Sequence, residues 1–261
     1  MTKFIKIWLV QLKNNWVREA VYRTNFLMAI VVDFVWMCVE LALFSVIYSN
    51  TPTLVGWSKD QVYFFLGIFF ASDALFTTFF QRNYWNFSDL VNRGDLDILL
   101  TKPVHPLFLA LTRWMNLTSI FNVALGLVIA AKFAGPAGFV GGIHWLELGL
   151  WLILGLLTQI LVRFTFSIWV FWTERSFALS RLYYQLFAFA TKPDSFYPTA
   201  IRFFIMTALP FAFIGSVPAR ALLHGLQPSE YIHLVTVLTA FLVLDIVLWK
   251  KGLKRYQSAS S

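Results

Sequence analysis

Charge is scarce in this sequence: only 13% of its 261 residues are Asp, Glu, Lys or Arg, 59% are hydrophobic, and mean hydropathy is +0.68. A soluble chain of this length needs far more polar surface to cover its core, so the bilayer is its main solvent. A single cysteine, Cys38, excludes an internal disulfide framework, and its apolar neighbours predict a buried small side chain. His105, His144, His224 and His233 all fall in loops or at span ends, and neither an H-E-x-x-H nor a G-x-S-x-G motif is present, which leaves an intramembrane hydrolase without support. No G-x-x-x-x-G-K-[ST] phosphate loop is present either, so any use of ATP calls for a separate subunit. After Lys3 and Lys6 the apolar run covers only residues 7–10, too short for a signal-peptide core.

Long apolar runs are what the chain does have. A helix needs about 20 such residues to cross a hydrocarbon core about 30 Å thick. Spans are predicted at 26–48, 62–80, 115–131, 145–172 and 231–249. Between the last two, 176–191 is interrupted by Arg181 and 196–217 is broken by Pro198 and Pro210, and either qualifies as a further span. The expected fold is therefore an all-α integral membrane protein of six transmembrane helices, residues 1–261 forming one transmembrane domain. Residues 1–24 precede the first span with Phe4, Trp8, Leu12 and Trp16 on one stripe, Ile5, Leu9 and Val17 beside it, and Lys6, Lys13, Asn14 and Arg18 opposite. This pattern fits an interfacial amphipathic helix, or an amphipathic helix packed on the protein itself.

The net charge of +8 comes with no nucleic-acid motif, and the basic residues report orientation and contact with anionic lipid instead. Thirteen Lys and Arg lie in the N-terminal segment, the loop 81–114 and the tail, against three (Lys59, Lys132 and Arg220) in the loops of the other side. Both termini and the loop 81–114 are thus expected to be cytoplasmic; Arg175 agrees, whereas Lys192 and Arg202 run against the choice of 176–191 as a span.

Within the loop 81–114, Asp95 and Asp97 precede and Lys102 follows a short apolar run that Pro103 ends. Leu96, Leu99 and Leu100 share one face of the implied helix. It suits docking of a partner, and equally a connecting loop whose leucines pack back on the bundle.

The run 93–103, with Pro106-Leu107-Phe108 after it, resembles the cytoplasmic signature of bacterial permeases of the type-two ABC exporter superfamily. A second block agrees with it: Tyr197-Pro198, Arg202, residues 209–214, then Pro218-Ala219 and Leu222-Leu223. The resemblance covers essentially the whole chain. It implies a coupling helix that seats on an ATP-binding cassette subunit carrying ATP and Mg, with Leu96, Leu99 and Leu100 as apolar contacts. Arg93, Gly94, Asp95, Asp97, Lys102 and Pro103 complete that segment. It further implies an outer re-entrant region at 192–229, with Tyr197, Pro198, Pro210, Phe211 and Pro218 at an outer gate, and this favours 176–191 as the fifth span. A second permease, identical or related, is implied, as is the bacterial inner membrane; no cofactor is expected on this chain.

Ionisable residues inside spans are functional candidates by default because hydrocarbon makes them costly. Asp33 and Glu40 lie two turns apart on one face, and Asp73 and Arg163 sit deep in other spans. Arg163 paired with one of these acids is structural glue; a proton relay, in a secondary transporter, is the alternative. Asp245 is expected to snorkel or pair near the inner face, and Glu147 to be solvated. Trp57, Trp145, Trp151, Trp169, Trp172 and Trp249 fall near span ends and read as interfacial anchors. Gly67, Ala71 and Ser72 form a small-residue pattern that permits close helix contact. Substrate identity is not legible, although aromatic spans suit a lipid-like or amphipathic one.

Overall fold

A computed structural model describes residues 2–21, 23–139, 145–173 and 177–256. Arg175, His144 and the side chain of Trp145 lie outside the described residues. Helix α1 (Thr2–Val21) is followed by α2 (Arg23–Asn50) and a two-residue hairpin, β1 (Thr53–Leu54) and β2 (Trp57–Ser58). Helix α3 (Lys59–Phe76) begins at a reciprocal cap: Gln61 N–H donates to Ser58 Oγ at 3.3 Å, and Ser58 N–H donates to Gln61 Oε1 at 3.0 Å.

The helix of the second span continues past residue 80, where its apolar run ends. A π-helical turn at Thr77–Gln81 carries α3 into α4 (Arg82–Asn92), making one continuous helix of 34 residues. That is about 50 Å of helix, well beyond the hydrocarbon core. No helix breaker intervenes before Gly94, whose φ of +78° turns the chain into α5 (Leu96–Leu100). Next come α6 (Pro106–Thr112), an irregular stretch at 113–116, and α7 (Ile120–Ala134). Then follow α8 (Trp145–Ser167), α9 (Phe177–Phe187), α10 (Thr199–Thr207), α11 (Ser216–His224) and α12 (Pro228–Arg255).

Among the described residues, five helices are long and apolar enough to cross a membrane, in the stretches 26–50, 59–92, 117–134, 146–171 and 228–255. Helix α9, extended by a 3-10 turn at Ala188–Thr191, is shorter. It leads from the end of the bundle where α8 finishes to Ser195, whose hydroxyl accepts from Trp57 Nε1 at 2.8 Å at the opposite end. Helices α10 and α11 have nine residues each, about 14 Å, too short to cross.

Helices α3 and α7 make the closest contact of the bundle. A Cβ on Gly126 would lie 2.6 Å from Ala71 N, and one on Gly67 would meet the Ala130 backbone. The small-residue pattern of α3 therefore serves an internal helix pair, with α7 supplying a matching glycine. Two apolar cores follow the bundle axis. The larger gathers Phe64, Phe65, Leu66 and Ile68 with Phe211 and Phe213; the second gathers Phe76, Phe87, Phe164, Phe171 and Trp249. Helix α2 stands at the edge, buried only along Met37, Phe44 and Tyr48, with Val31, Val35, Val39 and Val46 outward.

Several expectations about single residues are corrected by this packing. Cys38 lies on the exposed side of α2, not in the interior. Trp57, Trp151 and Trp249 are buried, Trp249 meeting Phe87 and Phe164 in tilted contacts and Phe171 edge-on at 6.5, 6.2 and 5.7 Å, so ring packing outweighs interfacial anchoring there. Of the two courses expected for Asp245 it does not snorkel: it is buried and accepts from Thr165 Oγ1 at 2.7 Å. His233 falls in the second turn of α12, at a span end as expected, half-buried with its Nε2 3.1 Å from Met206 O.

Candidate functional site

The prolines of the region 192–229 sit where a missing N–H costs little. Pro198 caps α10, Pro210 lies between α10 and the 3-10 turn Phe211–Ile214, and Pro218 falls in the first turn of α11. The turn is pressed into the bundle: Phe211 meets Tyr183 and Phe187 at 5.7 and 5.6 Å, and Gly215 lies against Phe65 and Phe69. Pro210 and Pro218 are buried, while Tyr197 packs on Phe189 at 5.3 Å.

At the base of this region lies a residue the sequence reading passed over. Asp194 is fully buried, with Arg202 Nε at 2.7 Å, Arg220 Nε at 3.5 Å and the Ser216 hydroxyl on its carboxylate. Its own N–H donates to Ser216 Oγ at 2.9 Å, and Arg220 Nη1 continues to Glu230 Oε1 at 2.7 Å. A carboxylate between two guanidiniums ties α10, α11 and the start of α12 together, and a buried charge needs such partners. The pairing engages Arg220, one of the three basic residues counted on the sparsely charged side, and Arg202, which runs against the choice of 176–191 as a span.

Deeper in the bundle, Arg163 is buried with Nη2 3.4 Å from Asp73 Oδ1 and 3.3 Å from Gln159 Oε1, and Nη1 3.2 Å from Tyr184 Oη. Its guanidinium lies 4.2 Å over Phe76, 4.8 Å over Tyr183 and 4.9 Å over Phe187. Asp73 is thus the acid that pairs with Arg163. Asp33 instead accepts from Asn122 Nδ2 at 2.6 Å, and Glu40 has Lys192 as its charged neighbour. Asp33, Asp73 and Asn122 line a cavity of about 200 Å³.

At the end that carries both termini, α5 divides its leucines. Leu96 (0% exposed) and Leu99 (7%) point into the core with Phe76 and Phe87, whereas Ile98 (58%) and Leu100 (41%) are exposed. Leu96 and Leu99 are therefore internal contacts, contrary to the role the resemblance gives them, because they complete the aromatic core under α4. Arg93, Asp95, Lys102 and Pro103 are exposed around Ile98 and Leu100. Asp97 is half-buried beside Tyr256; burial and that carboxylate push the Tyr256 phenol above its usual value.

The irregular stretch at 113–116, with Leu117 after it, is held by side chains. Asn83 donates to Trp114 O at 2.7 Å and accepts from Trp114 N at 2.8 Å. Asn15 makes the matching pair on the other side, with Arg113 O and Met115 N both at 3.1 Å. Arg18 Nη2 reaches Met115 O at 3.2 Å, Glu19 Oε1 accepts from Leu117 N at 2.8 Å, and Asn116 N–H donates to Thr78 O of the π turn at 2.8 Å. Buried backbone needs such partners. Helix α1 consequently turns Gln11, Asn15, Arg18 and Glu19 inward, with Phe4 and Trp8 packed on Phe108 and Phe79, and exposes Ile5, Leu9, Val10, Trp16 and Val17. The helix therefore packs on the protein through a mixed face, with part of the expected apolar stripe, Phe4 and Trp8, turned inward and Lys6, Lys13 and Asn14 exposed beside the outward apolar residues.

Long apolar helices with buried charges paired inside the bundle define an all-α, multi-pass membrane protein. Residues 34–260 match the family described as ABC-2 family transporter protein, and the chain belongs to that family. It is accordingly a permease subunit of an ABC transporter. No curated protein and no solved structure matches it.

Proposed function

We propose that this permease works in an ATP-driven exporter of the bacterial inner membrane, energised by a separate ATP-binding cassette subunit that carries ATP and Mg. The observation that carries the reading is the two-sidedness of α5: Leu96 and Leu99 lock it to the core, and Ile98 and Leu100 remain for a partner, rimmed by Arg93, Asp95 and Lys102. A push on α5 reaches the spans directly, because α4 and α3 are one helix. Two permeases, identical or related, enclose the path, and closure of the ATP-binding subunits moves the spans between inward-open and outward-open states.

Six crossings follow if 177–191 is the fifth, which its link to Ser195 and Trp57 supports. Both termini are then cytoplasmic, as the basic residues favour, and the segment 192–229 is re-entrant, with Phe211, Pro210 and Pro218 at its inner turn and the Asp194 cluster as its outer clasp. A second reading, a proton-coupled transporter, draws on the cavity lined by Asp33 and Asp73. Purification of the tagged chain from its native membrane in mild detergent tests the choice. An ATP-hydrolysing second polypeptide is expected; a lone folded chain whose transport collapses with the proton gradient favours the second reading.

A further inference from the structure

Between α1 and α5 lies a cleft of about 690 Å³. Lys3, Arg18, Lys102 and Arg113 line it, and no carboxylate does among the described residues. Positive charge is concentrated there: the guanidiniums of Arg18, Arg113 and Arg82 lie 4.8, 5.1 and 5.6 Å from the Trp114 ring. Glu19, the acid beside Arg18, gives one carboxylate oxygen to Leu117 N–H. Burial first, then the nearby Arg82, pulls Arg18 below its usual value, with the Glu19 carboxylate opposing. Lys3 Nζ is held over the cleft by donating to Pro103 O at 2.9 Å.

We propose that this cleft is a binding site for the phosphate headgroup of an anionic phospholipid. Four cations around one cavity recognise a phosphate, and the surroundings select a lipid. The outward stripe of Ile5, Leu9, Val10 and Val17 sets α1 at headgroup depth, and Ile7 and Leu109 give the cleft an apolar wall for the glycerol and first methylenes. An occupied site would bridge α1 to α5, so the lipid would brace the segment proposed to receive the ATP-binding subunit. The inference rests on the membrane placement of α1 and is independent of what drives transport.

Native mass spectrometry of the purified full chain, titrated with phosphatidylglycerol or phosphatidylcholine, tests it. Phosphatidylglycerol is expected to be retained preferentially. Lys102→Gln with Arg113→Gln should weaken that retention by about fivefold per charge, about 25-fold for the pair, leaving phosphatidylcholine unaffected. Lys250→Gln with Lys251→Gln removes two exposed charges from the same end of the bundle and should leave retention unchanged. If the pair lowers the melting temperature, Lys102→Gln alone, at an exposed side chain, gives the reading. Equal losses in the two double variants would reduce the effect to diffuse surface charge and overturn the site. Displacement of phosphatidylglycerol by equimolar inorganic phosphate would assign the cleft to a soluble anion and overturn the lipid.

Discussion

Asn15 Oδ1 accepts the backbone N–H of Met115 at 3.1 Å, joining the first helix to an irregular stretch 100 residues away. The Asn15 amide nitrogen bonds Arg113 O on the same stretch, and Asn83 does the same for Trp114 from the other side. Each asparagine stands in for a neighbouring peptide group. Asn15→Ala or Asn83→Ala therefore leaves a donor and an acceptor unpaired, the Met115 N–H fully buried and the others partly so, at up to about 1–3 kcal/mol for a buried group. A fall of several degrees in the melting temperature in detergent is expected for either; an unchanged melting curve would contradict this role.

Glu19 separates acceptor from charge. Burial raises its carboxyl above the usual glutamate range, so the folded protein holds this proton to higher pH than the unfolded chain does. Its contribution is full below the ordinary glutamate value and declines as pH rises through the raised one. Glu19→Gln keeps an acceptor for Leu117 N–H and should flatten the melting temperature across that window. Glu19→Ala should lower it at every pH.

The α3–α7 contact predicts a steric outcome. Gly126→Leu must push α7 away from Ala71 and Gly67, at about 1–3 kcal/mol or more for a buried overpacking. Lower yield of folded protein and a lower melting temperature are expected, whereas the same change at Gly149, with nothing within 4 Å of its Cβ position, should be tolerated.

Removing Asp73 from the Arg163–Asp73 pair should cost about 3–5 kcal/mol, because it strands the buried Arg163 guanidinium, whereas Asp73 itself is a third exposed. Asp73→Leu is therefore expected to be poorly folded, and Asp73→Leu with Arg163→Met to recover much of the loss. A relay predicts instead that Asp73→Asn folds normally and abolishes proton-driven transport.

What the sequence disclosed follows from what hydropathy and periodicity can register. Apolar runs marked the five long helices, and the block 93–103 pointed to the family. Periodicity grouped Leu96, Leu99 and Leu100 on a face, but the direction that face takes depends on Phe76, Phe87 and Trp249, which come from distant parts of the chain. Of the polar stripe on the first helix, Arg18 turns inward to Met115 O because its partner stretch lies 97 residues away, beyond what the period of a single amphipathic helix registers. The partners of Asp194 lie 8, 22 and 26 residues away across prolines, a spacing that no helical or strand period reveals.

The exposed face of α5 is tested most directly by co-purification of the tagged chain with its ATP-binding subunit when Leu100→Asp is compared with Leu99→Asp. Leu100 is exposed, so Leu100→Asp should keep the melting temperature and lose the partner; Leu99 is buried, so Leu99→Asp should lower the melting temperature itself. Retention of the partner and full ATPase stimulation by folded Leu100→Asp would contradict the proposal that this face receives it.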